Sequence, residues 1–543
     1  MKNAELFRYR HIRNRIFTIL WYYYQTSNFL KGLRGRKTKM TKRILSFFLA
    51  FILLFSAVLL ASCGKDNGGK DKDTETETED TLAQFLETYD PAATATEYVD
   101  EDVATKYDFE GHEFKFLNSA PIYYMYIYLD PDMTGDVLDD CCYERNFLVE
   151  QEMNITITEE TQPYAELASY AKTLILTGED VYDAMYIPQQ QLTPLISENL
   201  FYDLLEIEEL HTDHIWWDQP MIRRNTVENR LFYATSDLSL MAFEGIWCMY
   251  FNEDMMVELG LDLPFQLALD GKWTFDELKK YCAAAANLNG DSSFVFDVNG
   301  NATYGLSQMG VPHYLAYGLG TEYVSRDENG RYKFTADTDP KFTDTWTKLI
   351  NFFGPDDGMT INATANDLDP DGYYGVFEAN RALFLHAELK GATMLREWEG
   401  HFGLMPQPKY DESQEEYNSN LFTDCLSFCI PNTNKNLSRT GIIVDYLTYK
   451  SYADLLPRYY DIHVSLKALG KQESIDVLAL IRGTRGIEVS IPFKWTSDLG
   501  SAMGKLVKTN SLAIASTIES YRDKVVAAID KTYSEYPALN HNN

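Results

Sequence analysis

Hydrophobic and polar positions become regular near Tyr107. Phe114-Lys115-Phe116-Leu117 reads as a strand, and the loop after it holds Asn118, Ser119 and four tyrosines between Tyr123 and Tyr128. From Asp136 to Met153, apolar residues at 138, 141, 142, 148, 149 and 153 recur at helical spacing. Ile155–Thr158 alternates as a second strand, and Glu166–Gly178 is a second helix closed by its glycine. Asp183–Ile187 is a third strand. A β-α-β-α-β opening predicts a parallel sheet with helical crossovers. Further on, Trp273-Thr274-Phe275-Asp276-Glu277-Leu278 marks a helix start. There Thr274 is the N-cap, Glu277 its capping-box partner, and Trp273 with Leu278 a hydrophobic staple. Trp273 is therefore a structural residue. Two helical patterns near 498–508 and 511–533 close the chain, and no internal repeat occurs.

One apolar run is not part of this alternation. Ile44 to Leu60 is apolar apart from two serines, with Lys42 and Arg43 before it and Ala61-Ser62-Cys63 after it. A basic region, an apolar region and small residues at the cut describe a secretory signal. The cysteine makes the junction resemble a bacterial lipoprotein lipobox, which implies that Cys63 carries the acyl chains and becomes the mature N-terminus. The competing reading is an N-terminal transmembrane anchor, which the length just permits. Residues 40–62 are thus read as the signal, and 63–106 as the lipidated cysteine with an acidic linker. Residues 1–39 hold ten Lys or Arg and one acidic residue. They read as an upstream extension of a chain starting at Met40, or as a long basic region of the signal.

Twelve of the 48 basic and one of the 81 acidic residues lie in 1–62, leaving 36 and 80, a net charge of −44. That balance argues against nucleic acid and against a polybasic membrane patch. It weakly favours a neutral or cationic small ligand. The remaining length exceeds one ordinary core and predicts at least two lobes. Aromatics at 14% are too many for disorder. Besides Cys63 there are six cysteines. Cys425 and Cys429 would share a strand face about 13 Å apart, too far for a disulfide, and free buried thiols are expected.

Seven pieces appear in a telling order: FEGHEFKFLNS at 109, YDAMYIPQQQLTPLISENLFYDL at 182, IWCMYFNED at 246, GKWTFDEL at 271, FEANRALF at 377, FGLMPQPK at 402 and CIPNTNKNLSRTGIIVDYL at 429. Behind a lipobox, this order resembles the extracellular solute-binding proteins of carbohydrate ABC transporters, the maltose-binding-protein-like family. The resemblance runs from about Tyr107 to Tyr533. The chain departs from the family in its length and in NRALF, which replaces the common Gly-Lys-Ala, and this leaves the ligand open.

The resemblance implies an α/β, two-lobe, type II periplasmic-binding-protein-like fold, with strands crossing at a hinge and a ligand cleft between the lobes. It implies lobe one at 107–248 plus 430–490 and lobe two at 249–429 plus 491–540. It implies a monomer held outside the cytoplasm, on the outer face of the cell membrane, by lipidated Cys63. That monomer takes a sugar, an oligosaccharide for preference, to a permease pair driven by a cytoplasmic ATPase. No cofactor, metal, catalysis or nucleic acid is implied.

Sugar clefts need flat aromatics for ring faces and planar polar side chains for hydroxyls. The candidates follow predicted strands: Asn118 and Ser119 after the first, Gln189 and Gln190 after the third. Asp237 and Glu244 precede the first crossing, with Trp247 beside them, and His386 and Glu388 follow the Ala-Leu-Phe strand. The resemblance adds Trp495 as a stacking ring. Each has a structural alternative, since a loop amide, a solvated carboxylate or a packed ring would look the same. Trp216 and Trp217 could roof the cleft or anchor a loop.

Enzymatic readings are thin. His211-x-x-His214 lacks the HExxH glutamate, and GLSQMG at 305 lacks the GxSxG spacing. The run from Asp297 has its glycine at the fourth position, where a calcium loop needs the sixth, and so reads as a turn. Two alternatives stay open: a lipid-anchored glycoside hydrolase using a carboxylate pair, and a surface glycan-binding protein.

Overall fold

The computed structural model describes residues 106–120, 137–354, 357–362, 372–458 and 472–536. The leader, Cys63, the acidic tract and the cluster at 123–128 lie outside the described residues. The described strands are β1 (His112–Ser119), β2 (Ile155–Gln162), β3 (Ala184–Pro188), β4 (Trp247–Asn252), β5 (Tyr304–Gln308), β6 (Val324–Arg326), β7 (Tyr332–Phe334), β8 (Thr360–Asn362), β9 (Ala382–Glu388), β10 (Phe402–Met405), β11 (Ser419–Asn420), β12 (Leu426–Cys429) and β13 (Arg485–Gly486).

The first sheet runs β12-β3-β1-β2. β1 pairs parallel with β2 and β3, and β12 pairs antiparallel with β3. Helices Val137–Met153 and Tyr164–Thr177 connect the three parallel strands, as the alternating periods predict. All five residues of β3 are buried, as expected of a strand covered by helices on both faces. The second helix ends where Gly178 turns left-handed at φ 76°, its N–H returning to the Ile175 carbonyl.

The second sheet runs β10-β4-β9-β5-β8 and repeats this scheme: β5 is parallel to β8 and β9, β4 is antiparallel to β9, and β10 is antiparallel to β4. Ala234, bridged antiparallel to Phe428, takes the corresponding outer place in the first sheet. The helix Phe275–Ala285 covers the second sheet through Phe275, Leu278, Tyr281 and Cys282. It lies so close that a Cβ at Gly305 would come within 2.3 Å of the Cys282 Cβ. The Thr274 side chain caps this helix at the Glu277 N–H, 3.4 Å away. Trp273 is fully buried and donates its indole N–H to the Pro406 carbonyl at 3.0 Å.

Two boundaries differ from the sequence-based division. β12 joins the first sheet by pairing with β3, so this strand leaves the segment 249–429 expected in lobe two. The helix Leu437–Lys450 packs on Val137–Met153 in lobe one, but Gln472–Gly483 packs on β10 and the Phe265–Leu269 helix of lobe two, which divides the expected segment 430–490.

The sheets are joined by a ladder of three segments. Ile246 bridges Leu421, while Ser419 and Asn420 of β11 pair with Arg485 and Gly486 of β13. The 419–421 segment lies in the middle, with Ile246 on one edge and β13 on the other.

All six described cysteines are free and buried. Among the described residues no helix is long and apolar enough to cross a membrane.

Candidate functional site

The carboxyl ends of parallel strands are where open α/β sheets present loops and helix starts to a ligand. Trp247 opens β4 directly opposite Glu388, the last residue of β9. Its ring lies 4.5 Å from that of Tyr314 and 4.8 Å from that of His386, and it is fully buried. The indole N–H of Trp247 has no hydrogen-bond partner. Tyr314 stands in the short helix Pro312–Gly318 that follows β5. Its hydroxyl lies 3.1 Å from the Thr423 hydroxyl, which also accepts the Gln190 side-chain amide at 3.2 Å. A continuous polar and aromatic path therefore runs from the helix start after β3 in lobe one, through the Thr423 segment, to the floor of lobe two.

Beneath Trp247, the Gln407 amide donates to His386 Nε2 at 2.8 Å, which leaves the histidine proton on Nδ1. Burial, with His313 adding to it, lowers the His386 pKa to about 3, and burial lowers that of His313 to about 4. Both rings are neutral near pH 7. The floor thus offers uncharged donors, acceptors and ring faces. Burial raises the Glu388 carboxyl above the usual range. Glu244 ends the short helix Met241–Glu244, is buried, and accepts the Lys390 N–H on its carbonyl at 3.1 Å.

On lobe one, Gln189 is fully buried and neither polar atom of its side chain has a hydrogen-bond partner. Asn118 and Ser119 end β1 as expected, but the Asn118 amide is spent within lobe one. It donates to Glu159 at 2.6 Å and accepts the Ser119 N–H at 2.8 Å. Burial raises the Glu159 pKa to about 7.

Two expectations are corrected. Asp237, expected to meet a ligand, forms an ion pair with Arg482 at 3.0 Å and lies 3.6 Å from Arg485, fully buried at the joint. A buried carboxylate requires such partners, and here guanidinium groups distant in sequence supply them. Trp495, expected to stack on a sugar, is 3% exposed. Its indole N–H donates to Thr532 at 2.9 Å, and its face lies on Phe493 at 4.6 Å. It is a packing residue of the C-terminal helices. The alternatives for Trp216 and Trp217 resolve toward anchoring, because both indoles donate to one oxygen of buried Asp445, at 3.0 and 2.9 Å.

Tyr314, His313, Thr423 and Gln407 were not selected from the sequence. The available signal is the aromatic run Pro312-His313-Tyr314, which follows β5 directly. Among the described residues, no group of three or more His, Cys, Asp or Glu side chains could hold a metal ion.

Two solved structures superpose on most of this chain. An ABC substrate-binding protein of Listeria monocytogenes, in complex with cycloalternan, covers 78% of this chain and 99% of its own, with TM-score 0.50 and 13% identity. A cyclo/maltodextrin-binding protein complexed with maltotetraose covers 79% and 98%, with TM-score 0.53 and 11% identity. No protein-family model and no curated protein matches the sequence. Together with the repeated sheet order and the three-segment joint, these superpositions establish that the chain has the two-lobed type II fold of the solute-binding proteins of ABC transporters.

Proposed function

We propose that the protein is the substrate-binding component of an ABC importer and captures a sugar, an oligosaccharide for preference, by closing its lobes over it. The observation that carries this reading is the cluster of Trp247, Tyr314 and His386 on lobe two, joined through Thr423 to Gln190 on lobe one. The fully buried, unpartnered amide of neighbouring Gln189 supports it. Ring faces beside neutral amides and hydroxyls are the chemistry that pyranose rings require. A ligand touching both lobes makes all its contacts only when they are closed, so it shifts the equilibrium toward closure. The closed form then docks on a membrane permease pair. Cys63, acylated, holds the protein outside the cytoplasm, and the protein releases its ligand chemically unchanged. The carbohydrate ligands in both superposed structures support a sugar over other small molecules.

The test is a thermal-shift and calorimetry panel of linear and cyclic oligosaccharides, maltotetraose included, with chromatography of each sugar afterwards. A ligand at a hundredfold its Kd should add about 2.7 kcal/mol of stability. No shift with any sugar would overturn the ligand class. Shortened products from purified protein would decide for a hydrolase.

A further inference from the structure

We infer that the cleft selects a ligand bearing an ammonium group, an amino sugar in class, and that Glu388 and Asp424 are the residues that select it. The inference rests on the proposed capture of a sugar and narrows its chemistry.

The two carboxylates reach the floor from different elements. Glu388 ends β9 opposite Trp247, and the Tyr250 hydroxyl donates to its carbonyl at 2.9 Å, which fixes the backbone there. Asp424 follows Thr423 and accepts the Tyr164 hydroxyl at 2.7 Å, and Tyr164 opens the helix after β2 in lobe one. Both side chains are half-buried. Both are close enough to Tyr314 for their charge to be felt there: burial raises its hydroxyl, and Glu388 and Asp424 add to the shift. One aromatic residue is thus flanked by two acids.

Neither acid has a counter-charge. Elsewhere, buried carboxylates are matched, Asp218 with Arg485 at 2.7 Å, Asp237 with Arg482 at 3.0 Å and Asp183 with Arg439 at 3.2 Å. Among the described residues, no Lys or Arg forms an ion pair with Glu388 or Asp424. Lys390 acts on Glu388 from farther off and is engaged elsewhere. His386 and His313 are neutral, so the floor holds no cation of its own. Burial raises both the Glu388 and the Asp424 carboxyls above the ordinary carboxylate range. A sugar hydroxyl can satisfy a lone pair on such a group, but only a cation offsets its charge. The rings suit the same ligand, since an ammonium within about 6 Å of a tryptophan or tyrosine face is attracted to it. Trp247 and Tyr314 lie 4.5 Å apart at this place. The net charge of −33 draws cations toward the cleft.

The test is calorimetric titration of the full chain with the deacetylated glucosamine tetramer, its N-acetylated counterpart and maltotetraose. The deacetylated tetramer should bind about tenfold more tightly than either neutral sugar at low salt, with a margin that shrinks as salt rises. Glu388→Gln and Asp424→Asn, each with a cooperative melt as the check on folding, should each reduce that margin about threefold. No binding of the deacetylated tetramer, or binding no tighter than that of the neutral sugars, overturns the inference, and so does a margin unchanged in both variants. Maltotetraose binding without any preference for the amine would overturn the inference and leave the sugar reading standing. Spermidine bound as tightly as the glucosamine tetramer would uphold the ammonium site and count against the sugar alone.

Discussion

Arg485 Nε and Asp218 Oδ2 meet at 2.7 Å inside the joint, both residues more than nine-tenths buried. Asp237 lies 3.6 Å from the same guanidinium and 3.0 Å from Arg482, and Phe243 packs against both arginines at 5.3 and 4.9 Å. Removing one member leaves an uncompensated buried charge. Asp218→Ala should cost about 3–5 kcal/mol in urea unfolding, and Asp237→Ala a similar amount. Losses under 1 kcal/mol for both would show that water reaches the cluster.

Trp495→Ala should behave as a core truncation, costing about 3–5 kcal/mol while sparing ligand affinity in the folded fraction. Trp495→Phe keeps the stack on Phe493 and loses only the Thr532 bond. It should cost about 1 kcal/mol. Calorimetry showing weakened binding with unchanged stability would return Trp495 to the cleft.

Trp247→Phe should fold and bind its ligand about tenfold more weakly, as expected for the loss of one buried donor and part of a stacking face. Measured beside it, Trp273→Ala should lower stability without altering intrinsic affinity. The reverse pattern would move the site.

Burial, with the Glu322 carboxylate nearby, pushes the Glu488 carboxyl from 4.5 up to about 8. Its oxygens accept from the Tyr323 N–H at 3.3 Å and the Ser490 N–H at 3.1 Å. With the folded pKa above the unfolded one, the folded state holds an extra proton between about pH 4.5 and 8. Stability should therefore fall as pH rises through that window, by at most about 1.4 kcal/mol per unit, and level off above it. Glu488→Gln should flatten this slope and be the more stable protein at pH 8. Parallel stability–pH curves for the two would rule the assignment out.

Cys63→Ala should abolish fatty-acid labelling in a bacterium with the lipoprotein pathway, and translation from Met40 should leave localisation unchanged. Label persisting in the variant would refute the lipobox.

Fold was more legible in the sequence than site, for a physical reason. Strands and helices are written in local periods, so β1, β2, β3 and their helices could be read from neighbours alone. Trp273 was legible because a staple is a local motif. Trp247, His386 and Glu388 come together because strand ends converge at one edge of a sheet, which position in the chain reveals. The partners of Asp237 stand 245 positions away at Arg482, and nothing near either residue announces the pairing. Trp495 shows the same limit: its place in the chain was suggestive, but the face it turns inward depends on Phe493 and Thr532. Tyr314 carries no signal beyond its helix, and it gains a role only because Thr423 lies next to it.

Pro188 of β3 pairs with Leu426 of β12. The first sheet therefore stays unfinished through most of synthesis, while every strand of the second, from Trp247 to Met405, comes from one uninterrupted stretch. The second sheet can be complete while β1, β2 and β3 still wait for their fourth strand. The sheet begun first is the sheet completed last, and a truncation anywhere before residue 426 leaves β3 with an open edge.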